Sequence, residues 1–128
     1  MIRAFLVSTA LLAAAPVAAE NFYGAIAYSV QSEKLGRSWN FKSEAKAVER
    51  ALAECKKAGG ANCQIAVRIS NSCGAFAASK GTRRLSDTGI SWGFNTHEDA
   101  KARAVKECKA RGRNGSCTIQ TSSCNFGK

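Results

Sequence analysis

The stretch Ser43–Cys63, SEAKAVERALAECKKAGGANC, occurs twice in this chain in related form. The second copy is Thr96–Cys117, THEDAKARAVKECKARGRNGSC. Each copy begins with a helix-capping residue, continues as an amphipathic run that ends in Cys, and crosses a glycine-containing basic turn to a second Cys. A Ser-Trp-x-Phe segment precedes both copies, at Ser38–Phe41 and at Ser91–Phe94. The duplication predicts a pseudo-symmetric architecture but does not indicate an activity.

Both copies carry the signals of a helix. Ser43 and Thr96 are suited to the N-cap position, and small or apolar residues recur one turn apart as far as Cys55 and Cys108. Glycine follows each run, and Gly112 is predicted to end the second helix. Because the buried stripe is rich in Ala, we expect each helix to lie close against a sheet.

Other segments are rich in β-branched and aromatic residues, which predicts strands. The predicted strands are Phe22–Val30, Ser38–Phe41, Cys63–Asn71, Cys73–Lys80, Ile90–Phe94 and Cys117–Cys124. Gln31–Arg37 is typical of a hairpin turn, Gly81–Gly89 of a longer loop, and Gly24 of a close backbone approach or a bulge. The order is β-β-α-β twice. The sequence therefore predicts an α+β fold in which one antiparallel sheet, built from both copies, carries two helices on one face.

The N-terminus has the pattern of a secretory signal peptide. Arg3 supplies a positive charge, the apolar run Ala4–Ala15 is too short to span a bilayer, and small residues precede Glu20. We therefore expect cleavage after residue 19 and no membrane span. The remainder, residues 20–128, is predicted to be one domain with half-repeats at 22–72 and 73–126.

The cysteines indicate disulfides in an oxidising compartment, either the periplasm or the cell exterior. There are six, all after the apolar run: Cys55, Cys63, Cys73, Cys108, Cys117 and Cys124. Zinc is disfavoured because no short Cys-x-x-Cys knuckle is present and the chain has one His. We expect no metal and no other cofactor.

Fifteen pairings of six cysteines are possible, and the duplication reduces them. In each copy a Cys at the end of the helix is followed, across a short turn, by a Cys that opens the next strand. The symmetric solution is Cys55–Cys63 and Cys108–Cys117. Cys73–Cys124 then remains, and we expect it to join the first half to the C-terminal strand.

The chain is strongly basic, with a net charge of +10. Without Arg3 it has 18 basic and 9 acidic side chains, a net charge of about +9. A field of this sign favours nucleic acid, anionic lipid head groups or acidic cell-wall polymers, and solubility after export is the competing explanation. The candidate binding residues are Arg37, Arg68, Lys80, Arg83 and Arg84.

Alternating aromatic residues place Trp39 with Phe41, and Trp92 with Phe94, on one face of their strands. We expect these side chains to be buried under the helices, because the Ala-rich helix stripes need bulk opposite them. The alternative is an exposed platform for sugar rings, lipids or single-stranded nucleic acid.

No residue pattern demands catalysis, and we predict no catalytic residues. His97 lies in the first turn of the second helix, and no nucleophile motif accompanies it. Glu54 and Glu107 occupy equivalent late positions in the helices. A glycosidase would need two carboxylates that flank a single cleft.

Several segments together resemble a known family. They are GAIAYS (Gly24–Ser29), SWNF, the Ala-rich helix ending in Cys, CQIAV and CGAFA. These segments resemble the small exported bacterial proteins grouped as domain of unknown function 4189, over nearly all of Phe22–Asn125. The resemblance implies export and a Cys-rich duplicated domain, and it brings no established reaction.

The leading functional hypothesis is a secreted or periplasmic, non-enzymatic binding or interaction module with an anionic partner, such as an anionic polymer, the envelope surface or another protein. The alternatives are an exported effector or inhibitor that acts on another protein through the basic loop Lys80–Arg84, and a small hydrolase of a cell-envelope polymer. We expect function to lie in what the copies do not share, namely the loop Lys80–Gly89 and the uneven basic surface.

Overall fold

A computed structural model describes residues 4–11, 19–111 and 116–128. The first half contains β1 (Tyr23–Ser29), β2 (Lys34–Phe41), α1 (Glu44–Lys57) and β3 (Gln64–Ser70). The second half contains β4 (Cys73–Ala78), a 3-10 turn (Leu85–Asp87), β5 (Gly89–Phe94), α2 (His97–Arg111) and β6 (Thr118–Cys124). The α+β class and the duplicated β-β-α-β unit are confirmed. The predicted helix end at Gly112 lies outside the described residues.

The strands in the described part of the chain form two antiparallel sheets of three strands each, with the orders β2-β1-β3 and β5-β4-β6. The expectation of a single sheet with both helices on one face is therefore wrong. Each repeat completes its own sheet because its first strand pairs on both sides with strands of the same repeat.

Both faces of the two central strands are buried, which produces four layers in the order helix, sheet, sheet, helix. On β1, Ala25 and Ala27 pack against α1, whereas Ile26 and Tyr28 face the other sheet and meet Phe76 of β4. The corresponding alanines of β4 pack against α2. Each helix thus covers the outer face of its own sheet, and the larger side chains fill the space between the sheets.

Small residues let α1 and β2 approach each other closely, as the Ala-rich stripe predicts. Ala47 and Ala51 are fully buried against the sheet. A Cβ at Gly36 would overlap the backbone of α1 at Ala51 and Cys55. Gly36 belongs to β2, which begins at Lys34. The predicted turn at Gln31–Arg37 is therefore too long.

The predicted helix caps are present. The Ser43 hydroxyl accepts a hydrogen bond from the Lys46 amide at 3.3 Å, and the Thr96 hydroxyl accepts one from the Asp99 amide at 3.1 Å. Each bond satisfies one of the free amide groups in the first turn of a helix.

All six cysteines lie in the described residues and form the disulfides Cys55–Cys63, Cys73–Cys124 and Cys108–Cys117, the pairings that the duplication predicts. Two of them tie the end of a helix to the start of the following strand. Cys73 and Cys124 are directly opposite each other on β4 and β6. This third bridge therefore lies within the second sheet, because β6 pairs with β4 and not with the first sheet. The expectation that it joins the first half to the C-terminal strand is wrong.

Polar contacts at one edge of the sandwich tie the two halves together. Asn125 is fully buried, and its Oδ1 accepts a hydrogen bond from the Asn40 amide at 3.0 Å. The Ser123 hydroxyl donates to the Ser38 carbonyl at 2.9 Å. A side chain at Gly24 would meet that same carbonyl at 2.6 Å, which confirms the predicted close approach at this glycine. In the described residues, no helix is long and apolar enough to cross a membrane.

Candidate functional site: two related grooves

The two tryptophans lie on the edge strands β2 and β5 and are largely exposed. Trp39 is 52% exposed and Trp92 is 60% exposed. The expectation that they are buried under the helices is therefore wrong, and the alternative of an exposed aromatic surface describes the structure.

The reason is that each helix approaches its edge strand too closely to admit an indole ring. Gly36 and Ser38 occupy the positions of β2 that face α1, and Ser38 donates to the Ala47 carbonyl at 2.6 Å. Neighbouring residues of a strand point to opposite faces. Trp39 therefore does not take a position that packs directly on α1, and because β2 is an edge strand its ring remains exposed.

A first groove of about 580 Å³ runs along β2 beside α1. It is lined by Leu35, Gly36, Arg37, Ser38, Trp39, Phe41, Arg50, Glu54 and Ala58. The Arg37 guanidinium carbon lies 4.9 Å from the centre of the Trp39 ring, within the range of a cation–π contact. Its Nη1 donates to the Ser122 carbonyl at 2.8 Å, which orients the guanidinium group.

The Arg37 charge is not neutralised by a carboxylate in the described residues, since Arg37 forms none of the ion pairs found there. The other groove arginine, Arg50, donates from Nε to Glu54 Oε1 at 2.9 Å, one helical turn away. The first groove therefore offers an exposed indole, an unpaired cation, and a paired donor and acceptor.

A second groove of about 390 Å³ runs along β5 beside α2. It is lined by Ile90, Ser91, Trp92, Phe94, Arg103, Glu107 and Arg111. Each of these residues stands 53 positions after a residue that lines the first groove. The Arg103–Glu107 pair, at 2.9 Å, reproduces the Arg50–Glu54 pair.

The two grooves differ at a position that decides their charge. Ile90 stands where the first groove has Arg37. Arg111 stands where the first groove has Ala58, and its Nη2 pairs with Glu107 at 3.6 Å. Neither arginine of the second groove is therefore free of a carboxylate. The copies therefore share the indole and the Arg-Glu pair of each groove but not the residues that set its charge, and the expectation that function lies in what they do not share stays a prediction.

The five predicted binding residues do not form one surface. Arg37 lies in the first groove, whereas Arg68 lies on β3, at the other edge of the same sheet, and pairs with Glu44 at 3.6 Å. Arg84 pairs with Asp87 at 3.4 Å within its own loop. Only Arg37 adjoins an exposed tryptophan, so it is the member of the set with the best geometric support.

The remaining two residues, Lys80 and Arg83, belong to the loop after β4. This loop packs on the β1–β2 turn, where the Gly81 amide donates to Glu33 Oε1 at 2.7 Å. Arg83 lines a shallow cavity of about 320 Å³ there. A binding role for this loop stays a prediction.

His97 forms a contact that sequence reasoning missed. Its Nδ1 lies 2.6 Å from the hydroxyl of Ser122, a buried residue of β6. The equivalent positions of the first half are Glu44 and Arg68, which form an ion pair at 3.6 Å. In both halves the first residue of the helix is thus tied to the third strand, which gives the His97–Ser122 contact a structural explanation.

Glu54 and Glu107 line different grooves, and each is paired with arginine. They do not flank one cleft, as paired glycosidase carboxylates must. In the described residues, no group of three or more His, Cys, Asp or Glu side chains is placed to hold a metal ion.

Sequence reasoning also missed the groove itself, although a signal was present. In both copies the Trp of Ser-Trp-x-Phe is followed eleven residues later by an Arg-x-x-x-Glu segment, at Arg50–Glu54 and Arg103–Glu107. Arg and Glu at this spacing lie one turn apart on a helix. This spacing does not predict how the helix packs on the sheet, and it is that packing which places the Arg and Glu side chains beside the edge strand.

The fold and the paired grooves define a duplicated, disulfide-bridged α+β domain with one aromatic groove per repeat. The chain belongs to the family described as Domain of unknown function (DUF4189), which matches residues 23–124. Comparison with curated proteins and with solved structures finds no match.

Proposed function

We propose that this chain is an exported, non-enzymatic binding module that takes an anionic ligand in the first groove. The observation that carries the proposal is the Arg37–Trp39 pair. An unpaired guanidinium held at 4.9 Å from a half-exposed indole offers a charge and a flat apolar surface to one ligand. A ring that bears an acidic group matches both features.

The disulfides and the N-terminal segment support export. Three disulfides are typical of oxidising compartments. Phe5, Leu6 and Leu11 are each more than 90% exposed and form no part of the core, which fits a segment that is removed. The net charge of about +9 that then remains would attract an anionic partner from a distance.

Equilibrium binding of the oxidised protein to a panel of polymers tests the proposal. The panel is alginate, polyglutamate and oligothymidylate as polyanions, with dextran as the neutral control. We expect a polyanion to bind in preference to dextran, and the affinity to fall as salt is raised, because salt screens charges at the surface. Arg37→Gln should weaken this binding several-fold or more, because it removes one charge-assisted contact.

Arg83→Gln is the matched control, because it removes the same charge from the basic loop. It should retain most of the binding. Loss of binding in Arg83→Gln with full binding in Arg37→Gln would transfer the site to the loop and contradict the proposal. Binding to dextran as tight as to every polyanion, or binding that is insensitive to salt, would contradict it too.

A further inference from the structure

The two grooves lie at opposite edges of the sandwich. β2 packs over β6, whereas β5 packs over β3 of the first sheet. Since β2 and β3 are the two edges of that sheet, Trp39 and Trp92 lie on opposite sides of the molecule. Three strands span roughly 10 Å. The protein itself therefore separates the two groove mouths.

We propose that the module holds two segments of an acidic polysaccharide, one in each groove, and thereby bridges them. This inference rests on the proposed function, in which the first groove takes an anionic ligand. It adds the chemical class of the ligand and a second site that includes Trp92.

The groove chemistry favours a sugar over other polyanions. The apolar face of a sugar ring packs on an exposed indole. Glu54 accepts hydrogen bonds from hydroxyl groups, which sugars supply and phosphodiesters lack. An acidic sugar can turn its hydroxyl groups toward Glu54 while its carboxylate lies at Arg37, whereas a DNA phosphodiester offers no hydroxyl to Glu54, and this disfavours DNA.

The acidic group of the sugar is assigned to Arg37. A uronate carboxylate can take a bidentate pair from a guanidinium, which is the strong form of this contact. Arg50 and Glu54 neutralise each other's charge through their contact at 2.9 Å. Their remaining N–H groups and oxygen atoms can still donate to and accept from the hydroxyl groups of a sugar.

The second groove repeats this design without the free cation. It has the indole of Trp92 and the Arg103–Glu107 pair, but Ile90 replaces Arg37. We therefore expect it to take the same kind of ring with lower affinity. A repeated site suits a ligand with repeating units, and because the grooves face away from each other, two polymer segments are needed to fill both.

Calorimetric titration with a short alginate oligomer in calcium-free buffer counts the sites. We expect two sites of unequal affinity. Trp39→Ala should lower the affinity of the tighter site roughly tenfold or more, and Trp92→Ala should do the same to the weaker site. Phe126→Ala is the matched control, since Phe126 is 43% exposed but lines neither groove, and it should retain both sites.

Light scattering with long-chain alginate tests the bridging. The wild-type protein should cross-link the polymer near equivalence and disperse it again when protein is in large excess. Trp39→Ala and Trp92→Ala should each abolish cross-linking, although Trp92→Ala should still bind the short oligomer with nearly wild-type affinity at its one site. Both tryptophans are exposed, and circular dichroism with a non-reducing peptide map verifies that each variant is folded.

A single site per chain, or cross-linking that persists in Trp92→Ala, would overturn the bridging inference. The proposed function would still stand in that case, provided that Arg37→Gln weakens binding. Preference for polyglutamate or oligothymidylate over alginate would overturn the sugar assignment in the same way. Failure to bind any polyanion would contradict both proposals.

Discussion

A single buried hydroxyl joins strand, strand and helix in each half of the molecule. Ser38 Oγ accepts from the Ala25 amide at 3.1 Å and donates to the Ala47 carbonyl at 2.6 Å. In the second half Ser91 makes the equivalent contacts to Ala75 and Ala100 at the same distances. The Ser of Ser-Trp-x-Phe is thus structural, and it fixes the strand position from which the neighbouring tryptophan projects.

Ser38→Ala should lower the free energy of unfolding by about 1–3 kcal/mol, because it leaves a buried amide without its partner. Denaturant unfolding of the oxidised protein measures the change. Ser86→Ala, at an exposed position in the 3-10 turn, is the control and should stay within about 0.5 kcal/mol of wild type. Equal unfolding midpoints for the two variants would show that the hydroxyl is dispensable.

At the scale of elements, the spacing between helix and edge strand determines the shape of each groove. The glycines at positions 36 and 89 let α1 and α2 lie against the backbone of β2 and β5. The same approach excludes the tryptophans from the helix side and places the Arg-x-x-x-Glu face beside the strand.

Gly36→Ala should destabilise the protein by about 1–3 kcal/mol or more, because its Cβ would overlap the α1 backbone and force the helix outward. It should also weaken ligand binding in the first groove while leaving the second groove intact. Thermal unfolding and the calorimetric titration measure the two effects.

Gly59→Ala provides the comparison for Gly36→Ala. Gly59 has a φ of 99°, and a Cβ there would meet nothing within 4 Å, so this variant carries only the conformational cost, about 1–2 kcal/mol. It should leave both grooves unaffected. If Gly36→Ala were the milder variant, close packing of α1 on β2 would not limit stability.

At the scale of the whole molecule, the two sheets are held together by a core that no disulfide crosses. Each of the three bridges lies within one half. The centres of the Tyr28 and Phe76 rings are 4.8 Å apart in the space between the sheets. Association of the halves therefore depends on burial and on hydrogen bonds such as that between Asn40 and Asn125.

Burial raises the pKa of Tyr28 above its usual value, and the nearby negative charge of Glu33 adds to the effect. A tyrosine in the unfolded chain ionises near pH 10, whereas the folded protein holds this proton to higher pH. The free energy of unfolding therefore falls as pH rises above about 10, because the unfolded chain releases this proton more readily than the folded protein does.

Tyr28→Phe should reduce that alkaline loss. Urea unfolding at pH 8 and at pH 11, with the disulfides verified after each measurement, gives the difference for the variant and for wild type. A variant whose stability falls by as much as that of wild type between these two values would show that Tyr28 does not contribute to the alkaline loss.

The sequence predicted the elements and their bridges better than the site. Ser43 and Thr96 identify the helix starts because capping is local, and the repeated Cys spacing identifies the two short disulfides. The prediction that Trp39 is buried was wrong, because alternation along a strand does not say which face of the strand the helix covers. The helix face contacts Gly36 and Ser38, which leave no room for a ring.

The sequence by itself determined the duplicated β-β-α-β unit, the close packing of its Ala-rich helices and the pairing of its cysteines, because each depends on residues near one another or on the repeat. Only the tertiary structure decided that the repeats form two facing sheets and that both tryptophans are exposed. Those outcomes depend on where the side chains of β1 and β4 that face away from the helices find a partner. Ile26 and Tyr28 find it in Phe76, 48 residues beyond Tyr28 along the chain, a contact that no local pattern encodes.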